Sequence, residues 1–431
     1  MKITGIIAEY NPFHNGHKYH LEQARAVTGA DFCIAVIGGD FLQRGVPAAA
    51  DKYMRAETAL LNGADLVLEL PLFYAAGSAE FFAMGAVTLL DKLGAVDALC
   101  FGSESGSLSV LSKIADILAN EPEHYRNTLQ TALKKGASFP QARSIALADY
   151  FPDSSEYQDA VTSPNNILGI EYLKALSKRN SRILPFTIKR EGNQYHDIHL
   201  NSPEYNGMGM PDASVPDRHD VPLSSASAIR SSIAHSGDLS RIRGHVPDSV
   251  YRLLQENYLR RFPISSNDFS LLLKYRLLME ADKGYADYLD ITADFSDKIR
   301  KNLNAFESFE QFCGLLKSKD LTYSRISRGL LHILLGMTAA EMHTYLQHDY
   351  IRYARILGFR KSSGELLGVL KKSASVPLIS KLADAPSYLT QPGRDMLEKD
   401  ILSAHIYDSV VSSKYHTPFV PEYAKRLIII E

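Results

Sequence analysis

The feature that most constrains the fold is an alternation of short apolar runs with longer helical patterns over the first hundred residues. The runs are continuous, which is typical of strands buried on both faces by helices: ITGIIA (3–8), FCIAVIGG (32–39), DLVLEL (65–70) and VDALCFG (96–102). The segments between them carry apolar residues at helical spacing, and two of these segments end in glycine, as a helix C-cap does. The repeated β–α–β order predicts an α/β fold with a Rossmann-like, doubly wound parallel sheet.

The pattern changes character in the second half of the chain. A helix is expected after Ser163 and Pro164, a strand over 182–190, a polar surface loop over 201–220, and another helix from the serine-rich segment 223–233. From about residue 265 the periodicity is mostly helical. We therefore expect an α/β domain over 1–262 and an all-α domain over 263–431.

Composition narrows the function class. The 431 residues are 22% charged with a formal net charge of −2, so any nucleic-acid surface must be local. Cys33, Cys100 and Cys313 are odd in number, far apart and in apolar segments, which argues against a disulfide framework or a zinc site. No apolar run approaches the roughly 18 residues of a membrane span. These features predict a cytoplasmic protein without a membrane or metal site.

The segment EYNPFHNGHKYH (9–20) places two histidines, His14 and His17, directly after the first predicted strand. In a doubly wound sheet, ligands bind beyond the carboxyl ends of the strands, where helix N-termini favour phosphate. Two imidazoles can donate hydrogen bonds to phosphate oxygens, and Gly16 allows the backbone to approach closely. Two alternatives remain: a pair of surface histidines in a turn, or a zinc site, since histidines three residues apart can bind zinc.

The segment FHNGH resembles the His-X-Gly-His signature of the nucleotidylyltransferase superfamily, which is related in fold to class I aminoacyl-tRNA synthetases. A second signature of such enzymes is a serine-rich turn with an arginine at the start of a late helix, and SSASAIR (224–230) is similar to it. The resemblance implies that Ser225, Ser227 and Arg230 hold the β- and γ-phosphates of ATP. Without it, the same segment is a capped helix start with a surface arginine.

A longer series of segments narrows the resemblance. GIIAEYNPFHNGHKYHL, GGDFLQRGVPA, GADLVLELP, FGSE, SPNNILGIEY and IKREGNQYHD are similar, in matching order over about residues 1–235, to the bacterial tRNA(Met) cytidine acetate ligase family. That family activates acetate with ATP as acetyl-adenylate and then acetylates N4 of the wobble cytidine of elongator tRNA(Met). The resemblance therefore implies an ATP-dependent ligase with acetate and tRNA(Met) as substrates, in which the domain over 1–262 binds ATP and is catalytic and the helical domain over 263–431 binds tRNA. Because acetate and ATP repel each other, Mg²⁺ bridging the phosphates is expected as well. No protein partner is predicted.

The same resemblance implies a set of site residues. His14 and His17 would be catalytic. The ATP loop would be Ile7, Ala8, Glu9, Tyr10, Asn11, Pro12, Phe13, His14, Asn15, Gly16, His17, Lys18, Tyr19 and His20, joined by Gly102, Asn165 or Asn166, and Arg190. Read without the resemblance, the glycine is a turn residue, the asparagines cap a helix and the arginine is a solvated strand end. Asp40, Gln43 and Arg44 would face acetate or cytidine, or would form a simple polar loop.

A local basic excess indicates where RNA would bind. Residues 317–372 contain ten Lys or Arg and four Asp or Glu, with three tyrosines among them. The expected tRNA contacts are Arg325, Arg328, Arg352 and Arg355; the alternative is a solvated basic surface. Two other functions remain open: a small-molecule adenylyltransferase of the same fold, acting on a mononucleotide or pantetheine phosphate, and a non-catalytic RNA-binding protein.

Overall fold

The structure is a computed structural model that describes residues 1–137, 139–151, 155–190, 200 and 222–431. The strands are β1 (Ile3–Ala8), β2 (Phe32–Gly38), β3 (Phe41–Leu42), β4 (Val46–Pro47), β5 (Leu66–Leu70), β6 (Ala98–Ser103), β7 (Leu184–Lys189), β8 (Ala354–Arg360), β9 (Leu378–Ile379) and β10 (Ile428–Ile430). The polar loop expected over 201–220 and most of the segment REGNQYHD lie outside the described residues.

The helices of the first half are α1 (Asn15–Thr28), α2 (Lys52–Leu61), α3 (Leu72–Ala75), α4 (Ala79–Lys92), α5 (Leu108–Asn120), α6 (Glu123–Lys134), α7 (Phe139–Ala148), α8 (Ser155–Thr162) and α9 (Pro164–Lys178). Those of the second half are α10 (Ala226–Ser236), α11 (Asp248–Asn257), α12 (Ser270–Met279), α13 (Ala293–Asn302), α14 (Phe309–Leu316), α15 (Tyr323–Leu335), α16 (Ala339–Gln347), α17 (Gly364–Ser373) and α18 (Gln391–Tyr415).

The central sheet has the strand order β10–β8–β5–β2–β1–β6–β7 among the described residues, and β9 pairs with β8. The pairs around β1 are parallel, with Ile3 opposite Phe32 and Thr4 opposite Ala98. Its two faces bury separate cores: Ile6 packs in the core that includes residues of α1, α2, α10 and α11, and Ile7 in the core that includes residues of α4, α5 and α9. The predicted doubly wound α/β fold with a helical C-terminal region is confirmed.

The second half of the chain also contributes strands to this sheet, which the sequence pattern did not predict. β8 pairs antiparallel with β5, and β10 pairs parallel with β8. The run ARILGFR is short and apolar, and periodicity alone does not distinguish such a run from a buried helix segment. The division of the chain at residue 262 stays a prediction, with the qualification that both parts supply strands to one sheet.

A buried charge network joins the two halves of the sheet. It consists of Lys52, Glu69, Arg355 and Glu422, each at most 3% exposed. Lys52 Nζ lies 2.8 Å from Glu69 Oε1 and 2.6 Å from Glu422 Oε1. Arg355 lies 2.8 Å from Glu69 Oε2 and 2.6 Å from Glu422 Oε1. Burial raises the pKa of Glu422, but Lys52 and Arg355 lower it more, to about 2. The two cations thus hold the carboxylate of Glu422 ionised inside the core.

A β-hairpin formed by β3 and β4 packs directly on α15. Its turn residue Gly45 has a φ of 74°, which favours glycine, and a Cβ there would lie 2.3 Å from the backbone nitrogen of Arg328. Ser327 Oγ donates a hydrogen bond of 2.8 Å to the carbonyl oxygen of Gly45. The absence of a side chain at Gly45 is what allows this approach.

Gly45→Ala is therefore expected to lower the free energy of unfolding by about 1–3 kcal/mol, because the added methyl group overlaps the α15 backbone. Urea unfolding measures the change. Gly364→Ala is the control, since a Cβ at Gly364 meets no atom within 4 Å and its φ is not in the left-handed region. Equal unfolding midpoints for the two variants would show that the hairpin contact is not tight.

Candidate active site

A cavity of about 970 Å³ lies where β1, β6 and β7 end and where α1, α9 and α10 begin. Its lining includes, among the residues expected to bind ATP, Ile7, Ala8, Glu9, Tyr10, Asn11, His14, Gly16, His17, Tyr19, His20, Gly102, Asn165, Arg190, Ser225, Ser227 and Arg230. The carboxyl ends of parallel strands meet at one edge of a sheet, so segments far apart in the sequence converge there.

The two histidines of the motif are locked together at the start of α1. His14 is the N-cap residue, and its Nδ1 accepts a hydrogen bond of 3.1 Å from the backbone N–H of Gly16. The backbone N–H of His14 in turn donates to Nδ1 of His17 at 3.3 Å, and the two rings stack with centroids 3.7 Å apart. A Cβ at Gly16 would lie 2.9 Å from Cε1 of His14, so glycine is needed for this ring position. The helix expected to begin near His17 begins at Asn15.

Because Nδ1 of each ring accepts a hydrogen bond, a neutral ring carries its hydrogen on Nε2. Burial lowers the pKa of His14 to about 3, helped by the cations of Arg190 and Arg230. Burial also lowers the pKa of His20 to about 4, again with Arg190, and the pKa of His17 is lowered well below its usual value by burial, His14 and Arg190. The cavity thus presents uncharged imidazoles that can donate through Nε2.

At pH 7 we expect His14 and His17 to be neutral and to carry hydrogen on Nε2, which ¹⁵N NMR of the rings measures. The pKa values of both histidines lie below the value of about 6.5 in the unfolded chain. The two rings therefore contribute to the free energy of unfolding above pH 6.5, and this contribution is lost as the pH falls toward the pKa of His14, about 3. The urea-unfolded chain supplies reference shifts. Imidazolium shifts, or hydrogen on Nδ1, would contradict the arrangement at the start of α1.

Arg55 on α2 fixes the backbone around the cavity. It is 1% exposed and donates to the carbonyl oxygens of Glu9 at 2.8 Å, Gly38 at 2.9 Å and Ala50 at 3.0 Å, and also to that of Gly39. One guanidinium therefore ties the end of β1 to the end of β2. In the sequence this arginine lies in an amphipathic pattern and gives no signal of burial.

Arg230 connects the start of α10 to the histidine loop. Its Nη1 donates to the carbonyl oxygen of Asn11 at 2.6 Å, and its Nη2 donates to Ser227 Oγ at 3.2 Å. Ser225 is the N-cap residue of α10 and accepts from the backbone N–H of Ala228 at 3.0 Å. The SSASAIR segment therefore places a helix N-terminus and a cation beside the histidine loop.

Asn165 and Asn166 have different positions: the first lines the cavity, and the second supports the backbone beside it. Asn165 lines the cavity, whereas Asn166 is fully buried and accepts from the backbone N–H groups of Glu104 and Ser105 at 2.9 and 3.2 Å. Glu104 accepts from Asn165 Nδ2 at 2.6 Å and from the backbone N–H of Asn166 at 2.9 Å. Glu104 of the FGSE segment, for which the sequence predicts no role, thus joins the end of β6 to the start of α9.

Several residues expected at the site lie elsewhere. Within the ATP loop, the residues that do not line the cavity are Pro12, Phe13, Asn15 and Lys18. Asn15 instead donates through Nδ2 to the carbonyl oxygen of Gly244 at 2.6 Å, which anchors the loop from behind.

The expectation that Asp40 faces a substrate is wrong. Asp40 is 4% exposed, lies outside the cavity lining and accepts from the backbone N–H of Lys52 at 2.8 Å. Burial raises its pKa to about 7. By contrast, Gln43 and Arg44 line the cavity from the turn between β3 and β4, and the backbone N–H of Gln43 donates to Glu9 Oε1 at 3.0 Å.

Four arginines were expected to contact tRNA, and the burial of Arg355 contradicts that expectation. Arg355 is 3% exposed and belongs to the buried charge network, so it offers no surface for RNA. Arg328 lines the cavity and pairs with Asp290 at 2.9 Å. Arg352 donates to the carbonyl oxygen of His348 at 3.0 Å, and Arg325 lies in the first turn of α15.

The remaining expectations concern metals and membranes. Within the described part of the chain, no group of three or more His, Cys, Asp or Glu residues could hold a metal ion, and no helix there is both long and apolar enough to cross a membrane. Cys33, Cys100 and Cys313 are buried free thiols, as their apolar sequence context suggests.

The chain is similar to known proteins over almost its whole length. The HIGH Nucleotidyl Transferase family model matches residues 1–208 and 211–419. A protein named tRNA(Met) cytidine acetate ligase from Clostridium novyi is 38% identical over 413 residues, covering 96% of each chain. A protein of the same name from Acetivibrio thermocellus is 37% identical and covers 100% of both chains.

Two solved structures are similar to this chain over its full length. The apo crystal structure of Thermotoga maritima TmcAL superposes with a TM-score of 0.88 at 31% identity, covering 100% of both chains. The structure of Thermotoga maritima TmcAL bound with alpha-thio ATP superposes with a TM-score of 0.87 at 30% identity over the same coverage.

Proposed function

We propose that the chain, which belongs to the HIGH nucleotidyl transferase family and to its tRNA(Met) cytidine acetate ligases, is an ATP-dependent ligase acting on acetate and tRNA. It would activate acetate as acetyl-adenylate and acetylate N4 of the wobble cytidine of elongator tRNA(Met). The products would be N4-acetylcytidine in the tRNA, AMP and pyrophosphate. The cytoplasm is the proposed location, since ATP and tRNA meet there and buried free thiols suit a reducing compartment.

The observation that carries this proposal is the stacked histidine pair in a strongly cationic cavity. Among the described lining residues, Glu9 is the one carboxylate. The positively charged lining residues are Arg44, Lys189, Arg190, Arg230, Lys317, Lys319 and Arg328. Neutral imidazoles donating through Nε2, with the N-terminus of α10 beside them, suit a triphosphate. Buried donors aimed at developing charge are the main means by which such sites accelerate phosphoryl chemistry.

In the first step, a carboxylate oxygen of acetate attacks the α-phosphorus of ATP. A new O–P bond forms, the bond from this phosphorus to the bridging oxygen of the β-phosphate breaks, and pyrophosphate leaves. Acetate is already ionised at neutral pH, so this step needs no general base. The protein must instead align the two anions and offset their repulsion. In this proposal Arg190 and Arg230 supply positive charge, and His14 and His17 donate hydrogen bonds to the phosphate oxygens.

Mg²⁺ is proposed to enter the cavity together with the triphosphate of ATP. Magnesium in nucleotide sites commonly keeps several waters and is held by one or two carboxylates and the phosphates. Glu9 is the cavity carboxylate that would face it, because the described part of the chain contains no cluster of metal-binding side chains. The ion would neutralise phosphate charge.

In the second step, N4 of cytidine attacks the acetyl carbon of the adenylate. The new C–N bond replaces the C–O bond to phosphate, AMP leaves, and the amine loses one proton. The exocyclic amine of cytosine is a weak nucleophile because its lone pair is delocalised, so an activated acyl group is needed. The base must also leave the anticodon stack to enter the cavity. Arg325, Arg328 and Arg352, which are partly exposed, are the cations proposed to hold the tRNA.

The test combines two measurements on the full-length protein. Acetate-dependent exchange of pyrophosphate into ATP, without tRNA, measures the first step, and mass spectrometry of nucleosides from tRNA(Met) incubated with labelled acetate measures the second. We expect exchange that requires acetate and label in N4-acetylcytidine. Exchange that requires a mononucleotide or pantetheine phosphate instead would favour the small-molecule adenylyltransferase, and no ATP turnover would favour a non-catalytic RNA-binding protein.

A further inference from the structure

Part of the cavity lining is apolar. We call this part the apolar lining, and its residues are Ile7, Phe82, Phe101, Leu168 and Tyr172. They come from β1, α4, β6 and α9, and they form one connected cluster, because four of them are buried in the same core and Leu168 packs against that core. The ring centroids of Phe101 and Tyr172 lie 5.7 Å apart. Burying charge against such side chains is costly, so the apolar lining suits an uncharged part of a ligand.

The hydroxyl of Tyr172 is a polar group within the apolar lining. The side chain is 4% exposed, and its hydroxyl forms no hydrogen bond with any residue that the structure describes. Burial raises the pKa of Tyr172, and the charge of Glu9, which also lines the cavity, raises it further, so the hydroxyl keeps its hydrogen at neutral pH. Buried polar groups are nearly always hydrogen-bonded, so this hydroxyl indicates a ligand that accepts a hydrogen bond.

The apolar lining adjoins the proposed phosphate site at the end of β6. Gly102 follows Phe101, and a Cβ at Gly102 would lie 3.3 Å from Cγ of Arg190. Arg190 is in turn close enough to His14 and His17 for its charge to lower the pKa of both rings. A single glycine therefore lies between the apolar lining and one of the cations proposed to act on ATP.

This combination of groups fits a short carboxylate better than a nucleobase. Acetate has a methyl group, which favours apolar contact, and a carboxylate, which only accepts hydrogen bonds. One carboxylate oxygen attacks phosphorus, and the other is free to accept from a hydroxyl. A base has several donors and acceptors along its edge, and one hydroxyl among four apolar side chains would leave most of them unpaired.

We propose that the apolar lining is the acyl subsite, in which the Tyr172 hydroxyl donates to the acetate oxygen that does not attack, while the methyl group contacts the surrounding apolar side chains. The inference rests on the proposed function and adds to it the residue that binds the acid. The cations that line the same cavity offset the charge of the bound carboxylate. Tyr172 is a binding residue in this arrangement and transfers no proton.

Tyr172→Phe tests the assignment, because it removes the hydroxyl and keeps the ring. In acetate-dependent pyrophosphate exchange, the KM for acetate is expected to rise about ten- to a hundredfold, the usual effect of losing a hydrogen bond to a charged group. The KM for ATP is expected to stay unchanged. The urea midpoint should not fall, since the hydroxyl has no partner among the described residues.

Tyr345→Phe is the matched control. Tyr345 lies on α16, is 1% exposed and is outside the cavity lining, and its hydroxyl also lacks a hydrogen-bond partner within the described part of the chain. Its replacement should change neither KM.

An unchanged KM for acetate in Tyr172→Phe would overturn the inference. A rise in the KM for ATP or for tRNA in place of acetate would overturn it as well, because the hydroxyl would then belong to the nucleotide or to the cytidine. If the wild-type protein shows no acetate-dependent exchange, the proposed function itself fails, so the two failures are distinguishable.

Discussion

Replacing His17 with alanine is expected to lower acetate-dependent pyrophosphate exchange by about 10²- to 10³-fold, the usual effect of removing one donor to developing charge. Nδ1 of His17 is occupied by the backbone N–H of His14, so its Nε2 hydrogen is the donor available to phosphate. His17 is a better test than His14, which is 6% exposed and caps α1, so that its loss would also cost helix stability.

Two controls separate this effect from a loss of structure. The urea midpoint of His17→Ala should fall only slightly, because His17 is half-buried and its loss removes one hydrogen bond, from the backbone N–H of His14. His343→Ala removes an exposed histidine on α16, outside the cavity lining, and should leave exchange unchanged. Wild-type exchange in His17→Ala would remove the motif from the mechanism.

Lys52→Met is expected to lower the free energy of unfolding by about 3–5 kcal/mol, the cost of removing one partner from a buried ion pair. In the wild-type protein Lys52 and Arg355 share Glu69 and Glu422. Without Lys52, two carboxylates compete for one guanidinium in a site that water does not reach. Urea unfolding, followed by circular dichroism, measures the difference.

Lys283→Met is the matched control for this prediction. Lys283 pairs with Asp287 at 2.9 Å, but both side chains are about two-thirds exposed, so the urea midpoint should not change. If Lys52→Met unfolds at the same urea concentration as Lys283→Met, then the buried charge network does not contribute to stability.

The sheet and the histidine loop were the most predictable parts of the molecule, because both are encoded locally. Continuous apolar runs predicted β1, β2, β5 and β6 to within about two residues, and a histidine pair after β1 predicted the edge at which the cavity lies. Each of these signals is complete within a dozen residues, so no long-range information was needed.

The errors share a different physical cause. Asp40 and Arg355 read as polar surface residues, but each is buried by partners distant in the chain, and a sequence pattern does not show which charges will pair. The same applies to Arg55 and Glu104, which hold backbone groups at the ends of strands. β8 was missed because its neighbour β5 precedes it by almost three hundred residues.

The buried charge network also has a consequence for the order in which the protein is completed on the ribosome. Lys52 and β5 are made first, whereas Arg355 follows almost three hundred residues later and Glu422 later still. Until β8 and the turn that carries Glu422 dock, the core of the nascent chain contains unbalanced charge and an open strand edge at β5, the kind of surface that chaperones bind. A chain that stops short of Glu422 is therefore not a smaller active enzyme but an unfinished sheet.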